Sequence, residues 1–311
     1  MDQSRKTLIH SRAYQGAFYM VLAGIGFTAI NVITQHVTMG LGLSSTSDAF
    51  WQYFLALLFS LPMLLKGGWR AMKTQRPVAH LIRVGLAVLG VQAWVFGLAN
   101  GVPIWQAIAL VMTSPFFVTV GAALFLGERV GPERWLAISL GFAGAMVILS
   151  PWSDGFSAYA LLPVAAAALW GASSLMMKSL LKDEPSSTVT VWLLLLLSPV
   201  NAGFAITAGF QIPDQLAFLW LLASGLIMAL SQYFLARAYE VADATYVQPF
   251  DDLKLPLNVL AGWVVFGYAP AGYLWLGAAM ILAASMYNIS IEQRRVRAGA
   301  RGMPGASLQS P

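Results

Sequence analysis

Cysteine is absent from this 311-residue chain, which excludes disulfides, thiolate metal sites and cysteine nucleophiles. Histidine is almost as scarce. His10, His36 and His80 lie far apart and in no ligand spacing, so a histidine metal site is not expected. Charge is sparse too: 10% of residues are Asp, Glu, Lys or Arg, where a soluble domain carries about 25%. No Walker sequence, GxGxxG after a strand or paired His/Glu motif occurs. ATP-driven pumping within the chain is therefore excluded, and no cofactor or metal is expected.

What the chain has in quantity is apolar residues, 58% of the total, with a mean hydropathy of +0.69. This is the composition of an integral membrane protein with the lipid bilayer as its surroundings. Eighteen Lys and Arg against 13 Asp and Glu give a net charge of +5. In a soluble chain that excess would point to nucleic acid; beside apolar spans it reads as an orientation signal, and no nucleic-acid partner is expected. The basic start "MDQSRKTLIHSR" precedes an apolar run over 14–37. That run exceeds the h-region of a signal peptide, about 7 to 15 residues, so it reads as a retained first helix.

Segments long enough to span a bilayer recur at 14–37, 46–65, 79–98, 102–126, 131–150, 157–180, 187–209, 215–238, 243–267 and 270–291. Lys and Arg gather before the first span and after every second one, whereas "MGLGLSSTSD", "NGVP", "SPWSDGFS", "GFQIPD" and "GYAPAG" contain none. By the positive-inside rule both termini are cytoplasmic, and the setting is a bacterial inner membrane. The expected fold is all-α, with ten transmembrane helices as two inverted five-helix repeats around a central cavity. Its parts are a cytoplasmic segment at 1–13, a first repeat at 14–150, a second at 157–291 and a disordered cytoplasmic tail at 292–311.

A gapless shift of 140 residues tests the repeat. It lays Gly85 on Gly225, Gln92 on Gln232, Gly127 on Gly267, Trp135 on Trp275 and Met146 on Met286. With five spans per half, the second half starts on the opposite side of the membrane, so the repeat must be inverted. Inverted repeats mark secondary transporters, with the solute site near the midplane at the repeat interface.

The stretch Ala99 to Leu149, "ANGVPIWQAIALVMTSPFFVTVGAALFLGERVGPERWLAISLGFAGAMVIL", carries a mid-helix Pro115, "LGE" at Leu126 to Glu128 and the small pair Gly141 and Gly144. It resembles the EamA-type domain of the drug/metabolite transporter superfamily. The second copy, Ala238 to Asn288, has "FGY" in place of "LGE" and "FDDLKLP" in place of an apolar approach to its proline. The resemblance implies a ten-helix exporter with a central cavity, most similar to the aromatic amino-acid exporter branch. The superfamily also exports nucleotide sugars, polyamines and cationic drugs.

Residue by residue, the charges in "FDDLKLP" stand out. At 1.5 Å per residue, Lys254 lies roughly 15 Å into its span, and the shift places it on Ser114. Asp251, three residues earlier, lies on the same helix face and can neutralise it. The group is either a self-paired ion pair or a site for substrate or proton coupling, with Asp252 turned toward the cytoplasmic mouth. Pro249 and Pro256 bracket the charges, and Pro115 sits in the matching span; each can kink its helix and free a carbonyl. Gln92, Gln232, Asn31 and Gln248 are amides inside apolar runs, to be read as interhelical bonds or as cavity-facing groups suited to a zwitterion. Trp94, Trp170 and Tyr246 are the aromatic candidates, Trp170 above all because "GASS" follows it.

Three function classes compete. The leading one is a secondary transporter exporting small metabolites, amino acids including aromatic ones first, by alternating access, with a proton as candidate coupling partner and a monomer or homodimer as its state. Export of other solutes or cationic drugs is the alternative within the superfamily. An intramembrane enzyme would need a nucleophile with a base in reach, which the sequence does not offer, and a wide channel would need more polar spans.

Overall fold

The computed structural model describes residues 2–67, 73–100, 102, 104–127, 130–149, 157–251, 253–267 and 272–301. Asp252, Glu128 and Arg129, together with the side chains of Gln248 and Pro249, lie outside the described residues. Among those described there is no strand, as expected where apolar backbone must satisfy its own hydrogen bonds. The helices are α1 (Asp2–Gln35), α2 (Ser45–Gly67), α3 (Pro77–Ala99), α4 (Ile104–Val111), α5 (Ser114–Gly121), α6 (Pro132–Leu149), α7 (Leu161–Leu180), α8 (Ser186–Thr207), α9 (Gln215–Val241), α10 (Ala244–Asp251), α11 (Lys254–Phe266) and α12 (Gly272–Arg301). Among the described residues, five helical stretches are long and apolar enough to cross a membrane: Arg12–Gly40, Pro77–Trp94, Ala158–Leu180, Ser186–Thr207 and Gln215–Val241.

Two differences from the sequence reading concern the ends. Helix α1 begins at Asp2 rather than near 14, and α12 runs on to Arg301 instead of stopping near 291. Neither flank contains a proline, and "IEQRRVRAGAR" is rich in residues that favour helix.

Element boundaries repeat along the chain at the same 140-residue interval. The starts Ile104, Ser114 and Pro132 recur as Ala244, Lys254 and Gly272. Gly127 and Gly267, each just past an apolar helix, both take the left-handed conformation, with φ 69° and 71°. A side chain is strained there, and glycine is not. Packing repeats in the same way. α1 lies chiefly on α9 and α3 on α7; α6 lies on α12 and α2 on α8; α1 also meets α10 and α11, as α7 meets α4 and α5. Exchanging the halves maps each of these pairings onto another or onto itself.

Close approach depends on small residues. A Cβ added at Gly144 on α6 would lie 2.7 Å from the Gly277 carbonyl on α12, and one at Gly225 on α9 would lie 2.6 Å from Leu55 Cβ on α2. Outward positions such as Leu124, Phe125, Trp263 and Val264 are exposed and apolar, as a lipid-facing surface requires.

Candidate functional site

The fourth and ninth expected spans are each broken in two. α4 ends at Val111 and α5 starts at Ser114; α10 ends at Asp251 and α11 starts at Lys254. Pro115 and Pro256 stand in the first turns of the new helices, where a missing N–H costs nothing. Pro62 and Pro199, by contrast, sit inside α2 and α8 without interrupting them.

At the second break Lys254 pairs with Asp251, and both side chains are about four-fifths buried. The ammonium also stands 4.6 Å from the centroid of the Phe27 ring, a cation–π position. Gly24 gives it room: a Cβ there would lie 3.4 Å from Lys254 Cγ. One turn further along α11, Asn258 Nδ2 donates to the Lys254 carbonyl at 2.7 Å and to Thr28 Oγ1 at 3.3 Å. Asn258 Oδ1 accepts from Asn31 Nδ2 at 2.8 Å, while Thr28 Oγ1 donates to the Gly24 carbonyl at 3.0 Å. Gly24, Phe27, Thr28 and Asn31 have helical spacing i, i+3, i+4, i+7, so one stripe of α1 faces the start of α11. Asn31 is exposed even so.

Of the aromatic candidates, Trp94 and Trp170 come together with ring centroids 6.1 Å apart. Trp170 Nε1 donates to the Ala87 carbonyl at 3.2 Å. Gly90 admits the indole, since a Cβ there would meet it at 2.5 Å. Tyr246 is buried in an apolar cluster with Met20, Met177 and Tyr239, its ring against Phe250. Gln92 is exposed on α3, while Gln232 Nε2 turns to Met228 Sδ on its own helix at 3.8 Å. No hydrogen bond joins the two amides. Ser114, half-buried, opens α5 beside α7, its carbonyl 3.5 Å from a Cβ built on Gly171.

The sequence reading missed Asn258, Thr28 and Phe27. Asn258 carried a signal, being four residues after Lys254 and thus on its helix face; the α1 residues are more than 220 positions away. It also took Arg76, Arg83 and Lys178 as orientation charges, whereas each is bound into the fold. His80, 1% exposed, holds Glu184 at 2.8 Å and stacks on Trp192; Glu184 Oε1 accepts from Thr74 Oγ1 at 2.5 Å. Arg83 donates to the Val189 carbonyl at 3.0 Å, and Arg76 bonds Asp183 at 3.2 Å. Lys178 Nζ donates to the carbonyls of Tyr239 and Ala242, closing the end of α9. The start of α3 is thereby clasped to the turn between α7 and α8.

Comparison with known proteins gives a consistent picture. A model of the EamA-like transporter family matches residues 14–150 and again 157–290. A riboflavin transporter of Rhizobium johnstonii is 62% identical over 297 residues, 96% of this chain and 98% of that one. A riboflavin transporter of Vibrio cholerae is 48% identical over 285 residues, 91% and 95% of the two chains. One solved protein structure superposes with a TM-score of 0.68 over 88% of this chain and 98% of its own; at 18% identity that likeness speaks to the fold alone.

Proposed function

The chain belongs to the EamA-like transporter family, and on that premise we propose that it carries riboflavin across the membrane by alternating access. It is an integral membrane transporter, and its named relatives are transporters rather than enzymes. The observation that carries the solute is the 62% identity, along nearly the whole of both chains, to a protein named for riboflavin.

The chemistry of the α1–α11 contact supports this solute. The flavin ring is flat, aromatic and neutral, with an imide edge that presents acceptor, donor and acceptor in a row. Asn31 and Asn258 offer both donors and acceptors, and Phe27 and the Trp94–Trp170 pair offer aromatic faces. Lys254 and Asp251 neutralise one another. A zwitterion would have to break that pair, whereas a neutral solute leaves it intact. The expected amino-acid substrate therefore gives way to the flavin, and the aromatic positions that pointed to it serve the larger ring.

The mechanism follows from the repeat. The exchangeable helix pairings and the matching breaks before Ser114 and Lys254 support two inverted five-helix halves, with both termini cytoplasmic in a bacterial inner membrane. In that arrangement the broken helices meet near the midplane, where one half rocks against the other. Ser114, Gln92 and Gln232 stay in the proposal as neighbours of the passage.

Reconstitution in liposomes tests the reading through flavin fluorescence. Saturable riboflavin flux with counterflow, and none for labelled tryptophan, is the expected result. Tryptophan flux without riboflavin flux overturns it.

A further inference from the structure

Among the described residues, acids that are not exposed stand beside cations, with one exception. Asp251 has Lys254, Glu184 has His80, and Glu240 has Arg237. Asp48, in the first turn of α2, is 3% exposed and forms no ion pair among the described residues. Its Oδ1 is sealed from solvent and has no hydrogen-bond partner.

What surrounds it is neutral and polar. Gln52, one turn on along the same face of α2, is 5% exposed; its Nε2 donates to Thr34 Oγ1 on α1 at 3.3 Å and to Ser224 Oγ on α9 at 2.6 Å. The Thr34 hydroxyl faces the Asp48 carboxyl. Beside them, Ser47 is fully buried and accepts from the Gln211 backbone at 2.9 Å, while the Gln211 side chain accepts from the Ser44 backbone at 2.6 Å. Gln211 itself is exposed, so the loop between α8 and α9 forms a thin cover between this pocket of polar groups and the outside.

The charged and titratable groups of the neighbouring elements whose contacts the structure shows are engaged elsewhere. His36, in the turn after α1, packs on Trp220; Asp214 caps α9 through the Ala217 N–H; Arg237 and Glu240 pair with each other; Tyr239 is in the apolar core. α8 has no Asp, Glu, Lys, Arg or His, and Tyr53 on α2 packs among apolar side chains.

We propose that Asp48 is the proton-binding site that couples solute movement to a proton gradient, an inference that rests on the transporter reading above. A carboxylate in a low-dielectric interior is disfavoured, while the Thr34 hydroxyl favours it; sealing the pocket therefore shifts the group toward its neutral acid, and opening it shifts the group back. The pocket joins α1, α2 and α9, the same α1 that carries Thr28 and Asn31 to the flavin contact. Movement that opens the α1–α2–α9 contact to water lets the carboxyl ionise and pass its proton to solvent; resealing requires a proton from the side then facing it. One carboxyl among hydroxyl and amide groups suits a proton, since sodium would need several oxygens converging on one point.

The test uses the full chain in liposomes. Wild type should accumulate riboflavin against its gradient when the outside is acidic, whereas Asp48→Asn should lose accumulation and keep riboflavin counterflow; Asp48→Glu should restore part of the accumulation. Counterflow lost together with accumulation, accumulation unchanged in Asp48→Asn, or accumulation driven by sodium instead of protons would each overturn the proposal. If wild type moves no riboflavin in either mode, the riboflavin reading fails, and infrared spectroscopy decides on Asp48 alone. The carbonyl band of a protonated carboxylic acid should titrate with pH in wild type and vanish in Asp48→Asn. A spectrum without that band overturns the coupling site.

Discussion

Asn31 on α1 donates to Asn258 on α11 at 2.8 Å across a separation of 227 residues. One repeat interval away, the matching positions are Gly171 on α7 and Val118 on α5, and there a Cβ on the glycine would stand 3.3 Å from Val118 Cγ2. The same contact is thus made twice, once by hydrogen-bonded amides and once by tight apolar packing. The proposed solute contact lies on the amide copy.

Asn258→Leu removes the acceptor for Asn31 and the donor to Thr28 and the Lys254 carbonyl. Riboflavin transport per folded molecule should fall about tenfold, equivalent to roughly 1.4 kcal/mol of lost hydrogen bonding. Thermal melting should change little, because Asn31 is already exposed. Unchanged transport with a large drop in melting temperature would make the amide pair a structural bond only.

Lys254→Met leaves Asp251 largely buried without its cation and should destabilise by about 3 kcal/mol. The double replacement Asp251→Asn with Lys254→Met removes both charges and should recover most of the melting temperature while transport stays impaired. A double variant that carries riboflavin at the original rate would separate the ion pair from the solute path.

Glu184→Ala strands a 1%-exposed His80 and the Thr74 hydroxyl, a loss of about 1–3 kcal/mol. Asp183→Ala breaks a pair whose side chains are 38% and 62% exposed, and such surface pairs contribute under about 1 kcal/mol. Chemical or thermal unfolding of the two variants should rank them in that order, and equal losses would mean that the clasp lies in Arg76 and Asp183.

Much of the fold is readable from the chain because it follows from local rules. Apolar runs of bilayer length become helices, Gly127 and Gly267 end them, and Asp251 and Lys254 meet because three residues separate them on one helix face. Pro115 and Pro256 stand in the first turns of α5 and α11, whereas Pro62 and Pro199 lie in uninterrupted helices. A proline weakens a helix wherever it falls; whether the helix breaks there depends on the packing around it.

The site was only half legible. Lys254, Asp251, Asn31, Trp94, Trp170 and Tyr246 could be named from residue type and depth; the structure brings Lys254 to Asp251 and Trp94 to Trp170 and sets Tyr246 in an apolar cluster, which residue type alone does not tell. Asp48 read as the end of a loop connection without Lys or Arg, with no sign that it would be sealed from water.

The sequence by itself determined the membrane class, the helices, the internal interval of 140 residues and the pairing of Asp251 with Lys254, since hydrophobic length and i, i+3 geometry act over a few turns of chain. Tertiary structure alone decided that Asn31 meets Asn258, that His80 meets Glu184 104 residues away, and that Asp48 has no cation beside it among the described residues. In an apolar interior a polar group's energy depends on which other polar group faces it. That choice is made by helices packing across the bundle, and no local pattern records it.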